Sequence, residues 1–268
     1  MAWSSMVTMP EAYKWLWWIW LGFLGMCLGS FLNVVIWRLP RDMSIIRPGS
    51  SCPSCKTPIR WYDNIPLVSY ILLLGRCRCC KARISLRYPL IEVASGALTV
   101  LVFVRFGVSA QTAIILLLVL AMVAVAIIDA EHMEIPDEIS LGGAAVGLIL
   151  SFVPNGVSPL DAVIGAVGGS AFLGLLRWSH MKIAKIEGMG LGDIKLAATL
   201  GAFLGWYSLP VIFFISAILG LSVGGLLLVA QRKGGRTPLP FGTFLAAGTI
   251  VYIFTEPWLI RLFLQITR

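Results

Sequence analysis

Two aspartates, Asp129 and Asp193, are the residues of this sequence whose surroundings point most directly to chemistry. Asp129 follows a long apolar run and precedes Glu131 and His132, while Asp193 ends a Gly-Leu-Gly-Asp segment. A carboxylate at the border of an apolar run is energetically costly and usually functional. Two carboxylates that meet at such a border favour acid–base chemistry on a bond close to a membrane surface.

Each aspartate also has a structural interpretation. Asp193 could be the N-cap of a glycine-rich helix start, a common role for aspartate, and Asp129 could be the polar end of a span. On position alone the structural and catalytic roles of Asp193 weigh equally. We assign Gly190 and Gly192 to substrate positioning, because glycine lets backbone approach a substrate closely. Lys195, assigned with them, either pairs with a carboxylate or extends to the membrane interface.

Four cysteines in two Cys-x-x-Cys pairs predict a zinc site. Cys52 and Cys55 form the first pair, Cys77 and Cys80 the second, with 21 residues between the pairs. This spacing is typical of two knuckles that share one tetrahedral zinc ion. We predict a structural role, because a closed four-cysteine site leaves no position for catalytic water. Disulfides are the alternative, which a reducing cytoplasm disfavours, and Cys79 could replace Cys80 as a ligand.

The chain that carries these groups has the composition of a helical membrane protein. Hydrophobic residues make up 58% and charged residues 13% of 268 positions, whereas soluble domains have about 25% charged residues. Apolar runs of membrane length predict an all-α polytopic protein with about eight transmembrane helices. The runs lie at 14–37, 89–104, 110–128, 139–153, 159–176, 194–209, 210–230 and 239–255. The first run is too long for the core of a removable signal peptide, and we expect none.

The basic residues predict the orientation of the chain. Nine of the 21 Lys and Arg residues lie between Leu39 and Tyr88, and basic loops are kept in the cytoplasm. This placement, more than the net charge of +8, indicates a lipid bilayer as partner and no nucleic acid. Eight spans would then put 129–138 and 177–193 on the cytoplasmic face as well, so that Asp129 and Asp193 share that face.

Three segments are predicted from these patterns. They are a first transmembrane helix at 1–38, a cytoplasmic zinc-binding loop domain at 39–88 and a seven-helix membrane domain at 89–268. A loop of about 50 residues has too small a core to fold alone, so zinc is expected to stabilise it.

Other polar residues inside apolar runs are weaker candidates. Asn33 and Glu92 are either structural or contribute to a cofactor site. The sequence has no His-Glu-x-x-His segment, which argues against an intramembrane zinc protease. Ser170 is more simply a small packing residue between helices.

Taken in order, the motifs resemble those of the bacterial type IV prepilin peptidases, also called prepilin leader peptidase/N-methyltransferases. The resemblance covers nearly the whole chain. Its matching segments are Gly29–Val34 with Arg38-Leu39-Pro40, the two Cys-x-x-Cys pairs, Ser85–Glu92, Asp129 with Ile135-Pro136-Asp137, Gly190–Leu196 and Pro240-Phe241-Gly242. Glu131 stands where the family more usually has Asp, and Cys79 is an additional cysteine.

The resemblance implies a membrane aspartic endopeptidase of the Gly-x-Gly-Asp type, with Asp129 and Asp193 as the catalytic pair. Its substrates would be prepilins or pseudopilins of type IV pili or type II secretion, cleaved after a glycine at the cytoplasmic face of the bacterial inner membrane. Many members also methylate the new N-terminus with S-adenosylmethionine, which makes this cofactor and a structural Zn²⁺ the expected cofactors.

Two alternatives remain open from the residues. One is a zinc-stabilised membrane transport or assembly subunit without proteolytic activity, in which the acidic residues form an ion path. The other is an aspartic intramembrane protease for different substrates, such as preflagellins or signal-peptide remnants.

Overall fold

The computed structural model describes residues 14–185, 189–231 and 239–266. This part of the chain is helical and has no β-strand, only two isolated bridges. The helices are α1 (Lys14–Arg38), α2 (Val68–Leu72), α3 (Arg87–Phe106), α4 (Ala110–His132), α5 (Asp137–Leu150), α6 (Pro159–Ala184), α7 (Leu191–Leu204), α8 (Leu209–Gln231) and α9 (Phe241–Ile266). Apart from the short α2, each helix overlaps one of the predicted apolar runs, which confirms the all-α class.

Membrane-length helices make up most of the described chain. Five of its helices are long and apolar enough to cross a bilayer, and the segment Phe241–Glu256 is a shorter apolar helix. The two helices α5 and α7 have 14 residues each, or about 21 Å at 1.5 Å per residue, against about 30 Å of hydrocarbon. The chain is therefore a multi-pass membrane protein, and the predicted count of eight spans stays a prediction.

The chain divides into two compact units, and the boundary along the sequence lies between Leu116 and Leu117. The predicted division into three segments is a different description, based on charge and motifs, and it stays a prediction. Each unit has its own set of packed helices, so each is described by itself.

In the first unit, α1 and α3 pack along a row of small residues. A Cβ on Gly29 would lie 2.8 Å from the Cα of Glu92, and one on Gly25 would lie 2.8 Å from the Cα of Gly96. Side chains larger than hydrogen would therefore separate the two backbones. Small residues allow the backbones of membrane helices to approach each other this closely.

In the second unit, α7 is the central helix. It packs against α5 and α6 and also contacts α8 and α9. Its side chains Leu196 and Leu200 are fully buried, and a Cβ on Gly165 of α6 would lie 2.6 Å from the carbonyl oxygen of Gly201. Gly205 ends α7 with a positive φ of 75°, which separates α7 from α8 at the predicted break. The burial of α7 fixes the position of its N-terminus, which carries Asp193.

Candidate active site and metal centre

Asp129 lies in the last turn of α4, and its carboxylate is held by the first turn of α9. The residue is 5% exposed. The backbone N–H of Thr243 donates to Asp129 Oδ2 at 2.6 Å. The Thr243 hydroxyl lies 3.1 Å from the same oxygen and 3.0 Å from the carbonyl oxygen of Ala126. Free N–H groups at a helix N-terminus favour a negative charge, so α9 provides a suitable partner for a carboxylate.

Asp193 lies in the first turn of α7 and is 6% exposed. The N-cap of this helix is Gly190, so the N-cap role considered for Asp193 is wrong by three positions. Instead, Asp193 Oδ2 accepts a hydrogen bond from the backbone N–H of Gly190 at 3.1 Å. This contact is the acidic half of a capping box, and it leaves Asp193 Oδ1 available for another partner.

Ile135 connects the surroundings of the two aspartates. A Cβ on Gly192 would lie 3.1 Å from the Cβ of Ile135, and one on Gly242 would lie 2.6 Å from the Cδ1 of Ile135. The Cβ on Gly242 would also lie 3.0 Å from the Cγ of Asp129. Ile135 therefore lies beside both Gly192, next to Asp193 in the chain, and Gly242, which borders the Asp129 carboxylate. Ile135 and Asp129 already occupy the space in which a side chain at Gly242 would begin, and Ile135 packs tightly against Gly192.

The two carboxylates also interact electrostatically. Burial and, second to it, the charge of Asp129 raise the pKa of Asp193 to about 6. A buried carboxyl group beside another carboxylate keeps its proton more readily than an exposed one. Asp129 is thus close enough to Asp193 in the second unit for its charge to act on that carboxyl group, which is suited to remain protonated. Their role as a catalytic pair stays a prediction.

Lys195 pairs with a carboxylate, which is the first of its two predicted alternatives. Its Nζ lies 2.6 Å from Asp137 Oδ1 and 2.9 Å from Asp137 Oδ2. Both side chains are partly exposed, at 34% for Lys195 and 59% for Asp137, so the pair adds at most about 1 kcal/mol to stability. It nevertheless joins α5 to the N-terminal part of α7, two residues from Asp193.

The four predicted zinc ligands form a cluster in the first unit. The Sγ atoms of Cys52, Cys55, Cys77 and Cys80 all lie within 4.8 Å of one another. Cys52 and Cys80 are 3.8 Å apart, and Cys55 and Cys77 are 4.0 Å apart. A tetrahedron with Zn–S bonds of about 2.3 Å has sulfur–sulfur edges of about 3.8 Å. The thiols therefore fit a zinc ion, and the exposed Cys79 is outside the cluster.

Two knuckles of the same geometry present these cysteines. In the first, Lys56 N–H donates to Cys52 O at 2.8 Å, and in the second, Lys81 N–H donates to Cys77 O at 3.1 Å. Both lysines have a positive φ, 57° and 59° respectively. Hydrogen bonds from Thr57 lower the pKa of Cys55 to about 6, which favours the thiolate form that binds metal. A backbone hydrogen bond from Ala82 lowers the pKa of Cys80, but burial and the three neighbouring thiols raise this pKa to about 12, so the four thiols are not equally ready to ionise without the metal.

An ion pair joins Arg78 of the second knuckle to Asp63, which lies between the two knuckles along the chain. Arg78 donates to both carboxylate oxygens of Asp63, at 2.8 Å from Nε to Oδ2 and 2.6 Å from Nη2 to Oδ1. The hydrogen bonds from Arg78 lower the pKa of Asp63. Such two-point contacts hold geometry better than a single contact, so this pair ties the second knuckle to the segment that follows the first.

Asn33 and Glu92, the candidates for a cofactor site, also lie in the first unit. Asn33 Nδ2 donates to the carbonyl oxygen of Tyr88 at 3.2 Å and joins α1 to α3. Glu92 is 8% exposed, and its Oε2 accepts the backbone N–H of Leu67 at 2.8 Å. Both residues therefore hold backbone segments in place.

The chain is similar to known proteins over both units. The family described as "Bacterial Peptidase A24 N-terminal domain" matches residues 23–106, and the "Type IV leader peptidase family" matches residues 116–225. No solved structure matches the chain.

Three relatives are each named "Prepilin leader peptidase/N-methyltransferase". The relative from Pseudomonas putida is 38% identical, with 87% of this chain and 89% of the relative covered. The one from Stutzerimonas stutzeri is 38% identical, with 91% and 93% covered. The one from Pseudomonas aeruginosa is 37% identical, with 90% and 91% covered.

Proposed function

The chain belongs to the type IV leader peptidase family, and from this we propose that it removes the leader from prepilins or pseudopilins with Asp129 and Asp193 as its catalytic pair. The observation that carries the proposal is the burial of both carboxylates, at 5% and 6% exposure, with the charge of Asp129 acting on Asp193. Two carboxylates close together share a proton, because both cannot ionise easily.

The two aspartates take different roles in peptide hydrolysis. The ionised carboxylate removes a proton from water as the water oxygen attacks the scissile carbonyl carbon, and the protonated carboxyl polarises the carbonyl oxygen. When the carbon–nitrogen bond breaks, the leaving amine takes the proton that the first carboxylate removed from water, and the new carboxyl group stays on the leader. The pair titrates as one unit.

Hydrogen bonding supports an assignment of these roles. The Thr243 N–H lies 2.6 Å from Asp129 Oδ2, and a hydrogen bond to the charged form of a carboxylate stabilises that form. Asp193 has a pKa raised to about 6 by burial and by Asp129. Asp129 is therefore the partner that activates water, and Asp193 is the partner that carries the proton.

The substrate must bring a peptide bond to the polar ends of α4 and α7. A prepilin has a short basic leader followed by a hydrophobic helix, so its cleavage site lies at a membrane surface when that helix is in the bilayer. Gly190 and Gly192 leave space for an extended backbone beside Asp193. In this arrangement the chain lies in the bacterial inner membrane and its active site faces the cytoplasm. Lys195 positions α7 through its contact with Asp137.

Zinc and S-adenosylmethionine are the cofactors of this proposal. The four thiols of the first unit hold zinc in a structural role, because four protein ligands leave no open position. When bound, S-adenosylmethionine supplies the methyl group that converts the new N-terminal amine to its methylated form. Asn33 and Glu92 contribute to this methylation by holding the backbone of the first unit in place.

The experiment compares cleavage of a purified prepilin by the full-length chain in detergent. Asp129→Asn and Asp193→Asn keep the size of each side chain and remove its charge, so we expect no leader release by mass spectrometry. Glu134→Gln, a change at an exposed carboxylate in the same loop as Ile135, should cleave at the wild-type rate. Cleavage by either aspartate variant would refute the assignment, and a wild-type chain that transports ions without cleaving prepilin would favour the transport alternative.

A further inference from the structure

A cavity of about 370 Å³ lies in the first unit, between α1 and the loop that follows it. Ser30, Phe31 and Val34 line it from α1, and Ile46 and Pro66 line it from the loop. Its volume falls within the range of about 300–1,000 Å³ that is usual for small-molecule sites. The walls are largely apolar with a few polar groups, as in such sites.

Arg38 brings a buried positive charge to this cavity. Its side chain lines the cavity, and the residue is 8% exposed. The guanidinium donates to the carbonyl oxygens of Ser44 at 2.8 Å, Pro48 at 2.7 Å and Gly49 at 3.4 Å. These acceptors are neutral, and within the described part of the chain no carboxylate contacts Arg38. A buried charge is costly unless it is paired, so the cavity is suited to a ligand with a carboxylate.

Glu92 holds one wall of the cavity in place. Its Oε2 accepts the N–H of Leu67, which has a positive φ of 59° and follows the wall residue Pro66. The Glu92 carboxylate also lies near the Ser30 hydroxyl, which lines the cavity. Without this hydrogen bond, the strained backbone at Leu67 would relax and the wall at Pro66 would move.

We propose that this cavity binds S-adenosylmethionine, with the Arg38 guanidinium as the partner of the cofactor's carboxylate. The proposal rests on the methylation half of the proposed function and names the site where it occurs. Three features match the cofactor. The Arg38 guanidinium, which has only neutral acceptors among the described residues, matches its carboxylate. Phe31 and the apolar wall match its adenine ring, and Asn64 offers amide groups for hydrogen bonds. Glu92 is a positioning residue of this site.

The test measures binding of S-adenosylmethionine to the purified full-length chain by titration calorimetry. Ser30→Leu and Val34→Phe add volume inside the cavity, and we expect each to weaken binding by at least about tenfold. Leu72→Phe is the matched control, because Leu72 lies in the same unit at 75% exposure and outside the cavity lining. It should bind the cofactor as the wild type does.

A second ligand separates recognition by Arg38 from a structural role of that residue. 5′-Methylthioadenosine has the adenosine part of the cofactor and no carboxylate. Arg38→Gln should therefore weaken the binding of S-adenosylmethionine about tenfold more than the binding of 5′-methylthioadenosine. Some loss is expected for both ligands, because Arg38 also holds the lining residues Pro48 and Gly49. Equal weakening of both ligands, or undiminished cofactor binding by the filled variants, would overturn the proposal.

The two proposals fail in different ways. A wild-type chain that cleaves prepilin but binds no S-adenosylmethionine would overturn the cavity assignment alone. A chain that binds the cofactor with the expected variant pattern but leaves prepilin intact would overturn the proposed peptidase and retain the cavity assignment. A co-purified phospholipid that fills the cavity and is not displaced by the cofactor would also overturn the cavity assignment.

Discussion

At the scale of single residues, Asp129 depends on a partner 114 positions away in the chain, Thr243. Thr243→Val removes the hydroxyl and keeps both the backbone N–H and the side-chain shape. Because the hydroxyl lies 3.1 Å from Asp129 Oδ2, we expect kcat for prepilin cleavage to fall by about tenfold with KM unchanged. Steady-state kinetics in detergent measures both constants.

Thr243→Ser is the control for this prediction, because serine keeps the hydroxyl and loses only a methyl group. It should retain most of the wild-type kcat. If the valine and serine variants lost activity equally, the methyl group of Thr243 would matter through packing, and its role as a positioning residue for Asp129 would be wrong.

The pKa of Asp193 predicts how cleavage depends on pH. Burial and the charge of Asp129 raise this pKa from 3.8 to about 6, so the proton that polarises the scissile carbonyl is lost as pH rises through about 6. We expect kcat/KM, which reports groups of the free enzyme, to fall as pH rises above about 6. A rate profile from pH 5 to 8 checks this, and a flat profile would contradict it.

The same raised pKa has a consequence for stability. The folded chain holds the Asp193 proton more tightly than the unfolded chain, so stability decreases as pH rises from about 4 to about 6. Asp193→Asn has no such proton. The melting temperature of the wild type should therefore fall relative to that of Asp193→Asn as pH rises over this interval. This comparison tests the pKa without relying on a substrate.

At the scale of helices, the contact between α6 and α7 depends on hydrogen as the side chain at Gly165. Gly165→Ala would place a Cβ 2.6 Å from the carbonyl oxygen of Gly201, and we expect the melting temperature in detergent to fall by roughly 4–10 °C. Gly168→Ala on the same helix meets no atom within 4 Å, so it should be neutral or slightly stabilising. Similar losses in both variants would indicate a general intolerance of α6 to alanine.

The two cysteine knuckles give a second prediction at this scale. Cys80→Ser removes one thiol of the cluster, whereas Cys79→Ser changes the exposed neighbour outside it. We expect one zinc ion per chain in the wild type and in Cys79→Ser, and a loss of most zinc in Cys80→Ser, measured by elemental analysis of the purified protein. Because the metal stabilises the loop, Cys80→Ser should also be cleaved faster by a protease within 39–88.

At the scale of the whole molecule, the sequence predicted what depends on local patterns. Apolar length fixes where the helices lie, and the Cys-x-x-Cys spacing fixes which thiols can meet within one knuckle. The partner of Asp129 was missed, because the contact with Thr243 joins distant segments and no spacing encodes it. The only signal was the neighbouring Pro240-Phe241-Gly242 segment. Sequence also left both roles of Lys195 open, since only the fold brings Asp137 within its reach.

Orientation in the membrane is the last property that the sequence predicts and that the proposed function requires. Residues 129–138 should face the cytoplasm, and the connection between α5 and α6 should face the other side. In a Cys79→Ser background, we expect Asn155→Cys to react with a membrane-impermeant maleimide in intact spheroplasts, because residue 155 lies in that connection and is exposed. Glu134→Cys should react only after lysis, because its loop leads from Asp129 to α5. Labelling of Glu134→Cys in intact spheroplasts would place the aspartate pair on the face opposite to the basic prepilin leader, and cleavage of a cytoplasmic leader by this pair would then be excluded.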